Sequence, residues 1–209
     1  MTKQNLIDLI QHRLSGGDTP QELKGKYHPR IIEKHCELAL NYLVNTIAYK
    51  EAQRNMDWGV LDAYAKTYTD VEVLTDEIRN EKYSVLPSKY VALPKNRGIR
   101  MVAPIQGQDK PFVYRDNNTK WLYSSLDVNT VSADVRFYVE GEKIFYSEHI
   151  PNVITAVLIK MIVPFSDLGA NDEVVIPQGF GKVVVDLVLQ SMMGMPMEKV
   201  SNNNNANTP

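Results

Sequence analysis

The chain has 209 residues and a mass of 23.7 kDa, which fits one domain of ordinary size or a compact domain with a helical extension, and is short for a multidomain enzyme. Surface scaling gives roughly 9,800 Å² folded against roughly 34,000 Å² unfolded, about 70% buried, so a core can form without staples. The formal net charge of −2 points to no class of partner. The single cysteine, Cys36, excludes an internal disulfide and every multi-cysteine metal scheme.

Leu6, Ile7, Leu9, Ile10 and Leu14 predict an amphipathic helix over Asn5 to Leu14, stopped by Ser15-Gly16-Gly17-Asp18. His28-Pro29 opens the strongest helical pattern, because proline suits the first turn and neither glycine nor proline recurs before Gly59. In it Ile32, Cys36, Ala39, Leu43 and Ile47 form one apolar stripe, with Ile32, Leu43 and Ile47 expected in the core. Ile31, His35, Leu38 and Tyr42 form an adjoining stripe, while Glu33, Glu37, Asn41 and Asn45 mark the wet side. An apolar face that wide buries against more than one neighbour.

A short helix is expected over Val60 to Thr67, after which the pattern changes to period two. Short β-type runs follow at Val71, Val73 and Leu74, at Tyr83 and Val85, over Ile99 to Ile105, and over Phe112 to Tyr114, with Asp116-Asn117-Asn118 as a turn. Arg136-Phe137-Tyr138-Val139 and Lys143-Ile144-Phe145-Tyr146 predict a hairpin with a tight Glu140-Gly141 turn. Val153 to Val163 is almost continuously apolar and is expected as a central strand covered on both faces, a helix being the alternative that periodicity alone leaves open. A final helix is expected from Pro177 on, carrying Phe180, Val183, Val184, Leu187, Val188, Met192 and Met193, with Lys182, Asp186 and Gln190 as one narrow polar line. So little polar surface implies burial between layers or against another subunit. The Asn-rich stretch Ser201 to Pro209 lacks apolar anchors and is expected to be disordered in the lone subunit.

These elements define an α+β chain with N-terminal helices, a small antiparallel β module and a C-terminal helix. The expected divisions are a mainly helical part over 1–70, the β module over 71–165, a loop and helix over 166–200, and a flexible tail over 201–209. No apolar run reaches the roughly 18 to 20 residues of a membrane span, and the first residues lack a secretory signal, so a soluble protein made inside the cell is expected, with no membrane partner.

Catalytic and ligand-binding patterns do not emerge. His12, His28, His35 and His149 are not spaced as ligand pairs, and neighbours such as His35 and Cys36 project about 100° apart on a helix. Ser15-Gly16-Gly17-Asp18 and Gly179-Phe180-Gly181-Lys182 lack the phosphate-loop spacing, and no GxSxG elbow is present. Asp76-Glu77 and Asp172-Glu173 lie among turn residues, where solvation explains them. No cofactor, no metal and no enzymatic activity are expected.

Charge is unevenly placed. Residues 55–78 carry one Lys/Arg and six Asp/Glu, residues 79–120 nine against three, and residues 121–209 five against ten. Such alternation suits head-to-tail contact between copies, or a nucleic-acid face. The alternative function is a nucleic-acid-binding β module over 79–123, in which Lys89, Lys95, Arg97, Arg100 and Lys110 interleave with Tyr83, Tyr90, Phe112, Tyr114, Trp121 and Tyr123. That composition equally describes a twisted sheet with aromatic cross-strand pairs and a charged rim.

The order of elements resembles the head-to-tail connector, adaptor or ring proteins of short-tailed, crAss-like bacteriophages. The likeness is carried by Tyr83-Ser84-Val85-Leu86-Pro87 with Tyr90-Val91-Ala92-Leu93-Pro94, by Arg136-Phe137-Tyr138-Val139-Glu140-Gly141, by Ile159-Lys160-Met161-Ile162-Val163-Pro164-Phe165-Ser166-Asp167-Leu168, and by Asp172-Glu173-Val174-Val175-Ile176-Pro177. The resemblance implies a structural virion protein at the portal vertex: a ring of twelve copies that meets the portal protein and other tail or ring proteins and lines the channel for double-stranded DNA. It implies a mechanical role, with no catalytic residues. The expected partner-facing residues are Lys89, Lys95, Arg97 and Arg100 on the basic strands, and Met192, Met193 and Met197 in the C-terminal segment.

Overall fold

The computed structural model describes residues 1–16, 27–54, 58–93, 96–105, 110–115, 135–146, 150–176 and 179–194. Its helices and two sheets make an α+β fold, and the chain divides into two units, residues 1–44 with 168–209, and residues 45–167. The C-terminal helix joins the N-terminal ones, a long-range grouping that no local pattern encodes.

In the first unit, α1 spans Lys3–Leu14. It starts two residues before the expected Asn5 because Thr2 caps it, Oγ1 accepting from the Asn5 amide at 3.2 Å. Two more first-turn donors are met from far along the chain: the Lys3 amide donates to the Asp172 carbonyl at 2.9 Å and the Gln4 amide to that of Ala170 at 3.0 Å. The Val174 amide returns a bond to the Met1 carbonyl, also at 2.9 Å. Lys3 itself is buried. Its Nζ donates to the Leu168 carbonyl at 2.8 Å and pairs with Glu33 on the next helix, so one cation ties together three segments.

That helix, α2, runs Pro29–Arg54. Ile32, Cys36, Ala39 and Leu43 are buried as expected, but Ile47 is only half-buried. The adjoining stripe stays partly in water: Ile31 is 49% and Leu38 47% exposed, while His35 and Tyr42 are half-buried. Burial, with Glu33 nearby, pushes the Cys36 thiol up to about 12, so it remains a neutral apolar filler. The last helix, α3, spans Gly181–Met192. It begins after the expected Pro177, which lies outside the described residues. Val184, Val185, Leu187 and Val188 are buried, α1 packs against α3, and His35 Nδ1 on α2 lies 2.7 Å from Ser191 Oγ on α3.

The second unit is built on two sheets. One has the order β1 (Lys66–Glu72), β8 (Ala156–Met161), β4 (Ile99–Pro104), and the other β2 (Leu74–Asp76), β3 (Glu81–Val85), β7 (Lys143–Tyr146), β6 (Arg136–Glu140), β5 (Val113–Tyr114). All pairs are antiparallel except β5 with β6. A 3₁₀ turn at Trp58–Tyr64 stands in place of the expected helix over Val60 to Thr67, because Lys66 onward pairs with β8. The β6–β7 hairpin forms as read, its turn one residue later at Gly141-Glu142, with Gly141 at φ +61 supplying the left-handed position. The turn expected at Asp116 to Asn118 lies outside the described residues.

The expectation for Val153 to Val163 needs correction. The strand is central, but shorter, and covered closely on one face only: Val157, Ile159 and Met161 enter the core, while Ala156, Leu158 and Lys160 are half-exposed and Val153 sits exposed in a turn. An antiparallel sheet needs just one dry face, and Leu158 spoils the alternation that would have shown it. Residues of both sheets, among them Val102, Phe137, Ile144, Tyr146 and Ile159, form one apolar cluster.

Candidate partner interface

Lys89 is exposed in the segment that follows β3. With Leu86, Ser88, Tyr90, Gly141 and Glu142 it lines an open groove of about 490 Å³. The groove exists because the Leu86 amide donates to the Glu142 carbonyl at 2.9 Å, which draws the chain after β3 alongside the β6–β7 turn. The chain then crosses over the start of β4. The Val91 amide donates to the Ile162 carbonyl and the Ile162 amide to the Gly98 carbonyl, both at 2.8 Å, while Tyr90 Oη donates to Asn96 Oδ1 at 3.0 Å. Arg97, half-buried, lies in the turn at this crossing. Lys95 and Met197 lie outside the described residues. Met192 is half-buried at the end of α3 and Met193 is 61% exposed.

Arg100 has a different setting from its basic neighbours. Its side chain is 7% exposed and its Nε donates to Asp62 Oδ1 at 2.6 Å. The guanidinium is committed inside the fold, and Arg79 is likewise held, its two Nη atoms donating to the two Glu140 oxygens at 2.6 and 3.2 Å. Part of the charge alternation along the chain is therefore internal pairing, basic middle to acidic flank. Arg100→Ala is expected to destabilise the isolated chain by about 2 kcal/mol, because a nearly buried stem and a charge-assisted bond are lost together. Lys89→Ala is expected to stay within about 0.5 kcal/mol of the parent chain. Urea unfolding of the two variants checks the contrast.

The aromatic residues do not share one open face. Phe112 is in the core against Tyr146, with ring centroids 5.7 Å apart, and Tyr114 meets Phe137 at 5.6 Å. On the opposite face of the five-stranded sheet, Tyr83, Phe145 and Tyr138 lie across three adjacent strands, Tyr138 stacked on Phe145 at 5.3 Å. Charged side chains roof them: Arg79 lies 4.9 Å over Phe145, Lys143 4.3 Å over Tyr83, and Tyr138 Oη donates to Glu81 Oε2 at 2.6 Å. Trp121 and Tyr123 lie outside the described residues.

Other groups weighed in the sequence have local duties. His28 Nδ1 accepts from the Arg30 amide at 3.2 Å at the start of α2, His12 is exposed, and His149 lies outside the described residues. Asp76 Oδ1 accepts from the amides of Ile78 and Arg79 at 3.0 and 3.2 Å, and Asp172 Oδ2 from that of Gly169 at 3.1 Å, so both acidic pairs shape turns. Among the described residues no group of three or more His, Cys, Asp or Glu side chains is arranged to hold a metal ion, and no helix is long and apolar enough to cross a membrane.

One residue escaped the sequence reading. Ile78, in the β2–β3 turn, is 98% exposed. The available signal was an isoleucine set alone among turn-forming and charged residues in Asp76-Glu77-Ile78-Arg79-Asn80, where no core face explains it.

Comparison with known proteins finds no family model and no curated protein that matches this chain.

Proposed function

We propose that this chain is a structural virion protein, one subunit of an oligomeric ring at the portal vertex of a short-tailed bacteriophage. The ring joins the capsid portal to the tail and lines the channel through which DNA is ejected. Its work is mechanical, and no residue in it is assigned a catalytic role. A channel wall of weak or negative charge passes the duplex without arresting it through phosphate pairing.

The observation that carries the subunit reading is the second stripe of α2. The width of that helix's apolar face called for more than one neighbour, and within the chain Ile31 and Leu38, seven residues apart and so on one helical face, remain about half in water. Covering the rest of each adds about 1 kcal/mol to association. The particular assignment to a portal-vertex ring is supported by the element order and the motifs that resemble connector proteins.

Native mass of the chain alone, and beside the portal protein of the same phage, tests the proposal. Multiples of 23.7 kDa are expected on at least one side of that comparison, and Ile31→Asp with Leu38→Asp should abolish them. A monomer at every concentration, with and without portal, would overturn it. Salt-dependent binding of single-stranded DNA by that monomer would transfer the assignment to a nucleic-acid module.

A further inference from the structure

A head-to-tail ring needs two different, mutually complementary patches on every copy. The second unit carries such a pair at opposite ends of β3. At one end is the β2–β3 turn, where Ile78 stands almost wholly in solvent. This tip is built rather than loose: Asp76 Oδ1 holds the next amides of the turn, Asn80 adopts φ +52, and Arg79 is clamped by both oxygens of Glu140. An apolar side chain on a preorganised turn loses little freedom on binding. At the other end lies the groove beside Gly141 and Glu142, floored by Leu86 and Tyr90.

Charge decides what the groove takes. Glu77 precedes Ile78 and is exposed, and Lys89 on the groove is exposed, neither with an ion-pair partner among the described residues. The tip therefore presents an acid beside an apolar knob, and the groove an apolar recess flanked by a base, Lys89, and an exposed acid, Glu142, so that the tip's Glu77 is matched on the Lys89 side alone.

We propose that neighbouring copies of this chain engage through these two features: Ile78 of one copy seats in the Leu86–Tyr90 groove of the next, and its Glu77 pairs with that copy's Lys89. The contact rests on the ring reading above and specifies its partner, a second copy. Because knob and groove lie at opposite ends of one strand, each copy uses one of each and the contact propagates in a single direction, closing when the rotation per copy divides a full turn.

The test is a cysteine pair, Ile78→Cys with Ser88→Cys, in the full chain under mild oxidation. Within one chain the two sites are separated by β3, whose five residues alone span roughly 16 Å, far beyond disulfide reach. Native Cys36 is buried and does not compete. A ladder of covalent multimers is expected from the double variant, with at most dimers from either single one. No ladder in a sample whose native mass is multimeric would overturn this contact and leave the ring standing. No ladder in a chain that is monomeric with and without portal would overturn both. A charge exchange provides an independent reading: Lys89→Glu should raise the concentration for half-assembly about tenfold, as expected for losing about 1.4 kcal/mol at an interface, and adding Glu77→Lys should recover most of it. Failure of that recovery would also count against the contact.

Discussion

Gly98→Ala is expected to destabilise the chain by about 4 kcal/mol, visible as a large fall in the urea midpoint with an unchanged slope. A methyl group there would lie 1.9 Å from the Val91 carbonyl oxygen and 2.8 Å from Tyr90 Cδ2. The first obstacle is backbone, which no rotamer change relieves. The crossing segment would have to lift away, and it is held by the Val91–Ile162 and Ile162–Gly98 bonds on either side of the same residue. Overpacking costs about 1–3 kcal/mol, and weakening two backbone bonds about 1 kcal/mol each. Gly181→Ala is the control: its added Cβ meets nothing within 4 Å at the first turn of α3, and no loss is expected. The groove that holds Lys89 is shaped by the same crossing segment, so Gly98→Ala should also lower assembly, where a purely surface change such as Lys89→Glu lowers assembly alone.

Tyr146→Ala is expected to cost about 4 kcal/mol and Tyr146→Phe about 1 kcal/mol, as measured by the same unfolding experiment. The ring is among the largest fully buried side chains and lies edge-on to Phe112. Its Oη donates to Ser84 Oγ at 2.8 Å, and Ser84 Oγ donates onward to the Glu72 carbonyl at 2.7 Å, a chain of hydroxyls running from β7 through β3 to β1. Removing the ring opens a cavity, whereas removing only the hydroxyl leaves Ser84 with its bond to Glu72. Burial raises the phenol above its ordinary 10.0, opposed weakly by the Ser84 bond. The folded state therefore favours the neutral form. That stability is complete below about pH 10 and is lost as pH climbs from there through the raised folded value, because the unfolded chain ionises first. Tyr64, pushed up to about 12 by burial alone, acts in the same direction. Stability of the parent chain should fall above pH 10, and Tyr146→Phe should fall less steeply.

The legible elements were those whose signal is local. Leu6, Ile7 and Ile10 repeat at helical spacing, α2 is bounded by Pro29 and carries no breaker, and the β6–β7 hairpin alternates around a glycine that takes positive φ. Boundaries slipped where a distant segment supplied the missing partner. The start of α1 reached Lys3 because carbonyls at 170 and 172 accept its amides. The helix expected over Val60 to Thr67 yielded to β1 because β8 offered Lys66 onward a ladder. Among the candidate interface residues, Lys89 and Arg100 have the same composition signal and opposite fates. One faces solvent on a groove, and the other is nearly buried and paired with the half-exposed Asp62, thirty-eight residues earlier in the chain.

By itself the sequence determined the α+β class, the identity of the long helix and of the hairpin, and the absence of any cysteine framework, since each follows from spacings of a few residues or from a count. Only the tertiary structure decided that the C-terminal helix joins the N-terminal ones, that Lys3 and Arg100 are held inside, that Gly98 must lack a side chain, and that Ile78 stands clear of any core. Those outcomes depend on which groups meet, from the Val91 carbonyl close by in the chain at Gly98 to the Leu168 carbonyl 165 residues away at Lys3. Burial and pairing are properties of the meeting, and no residue carries them alone.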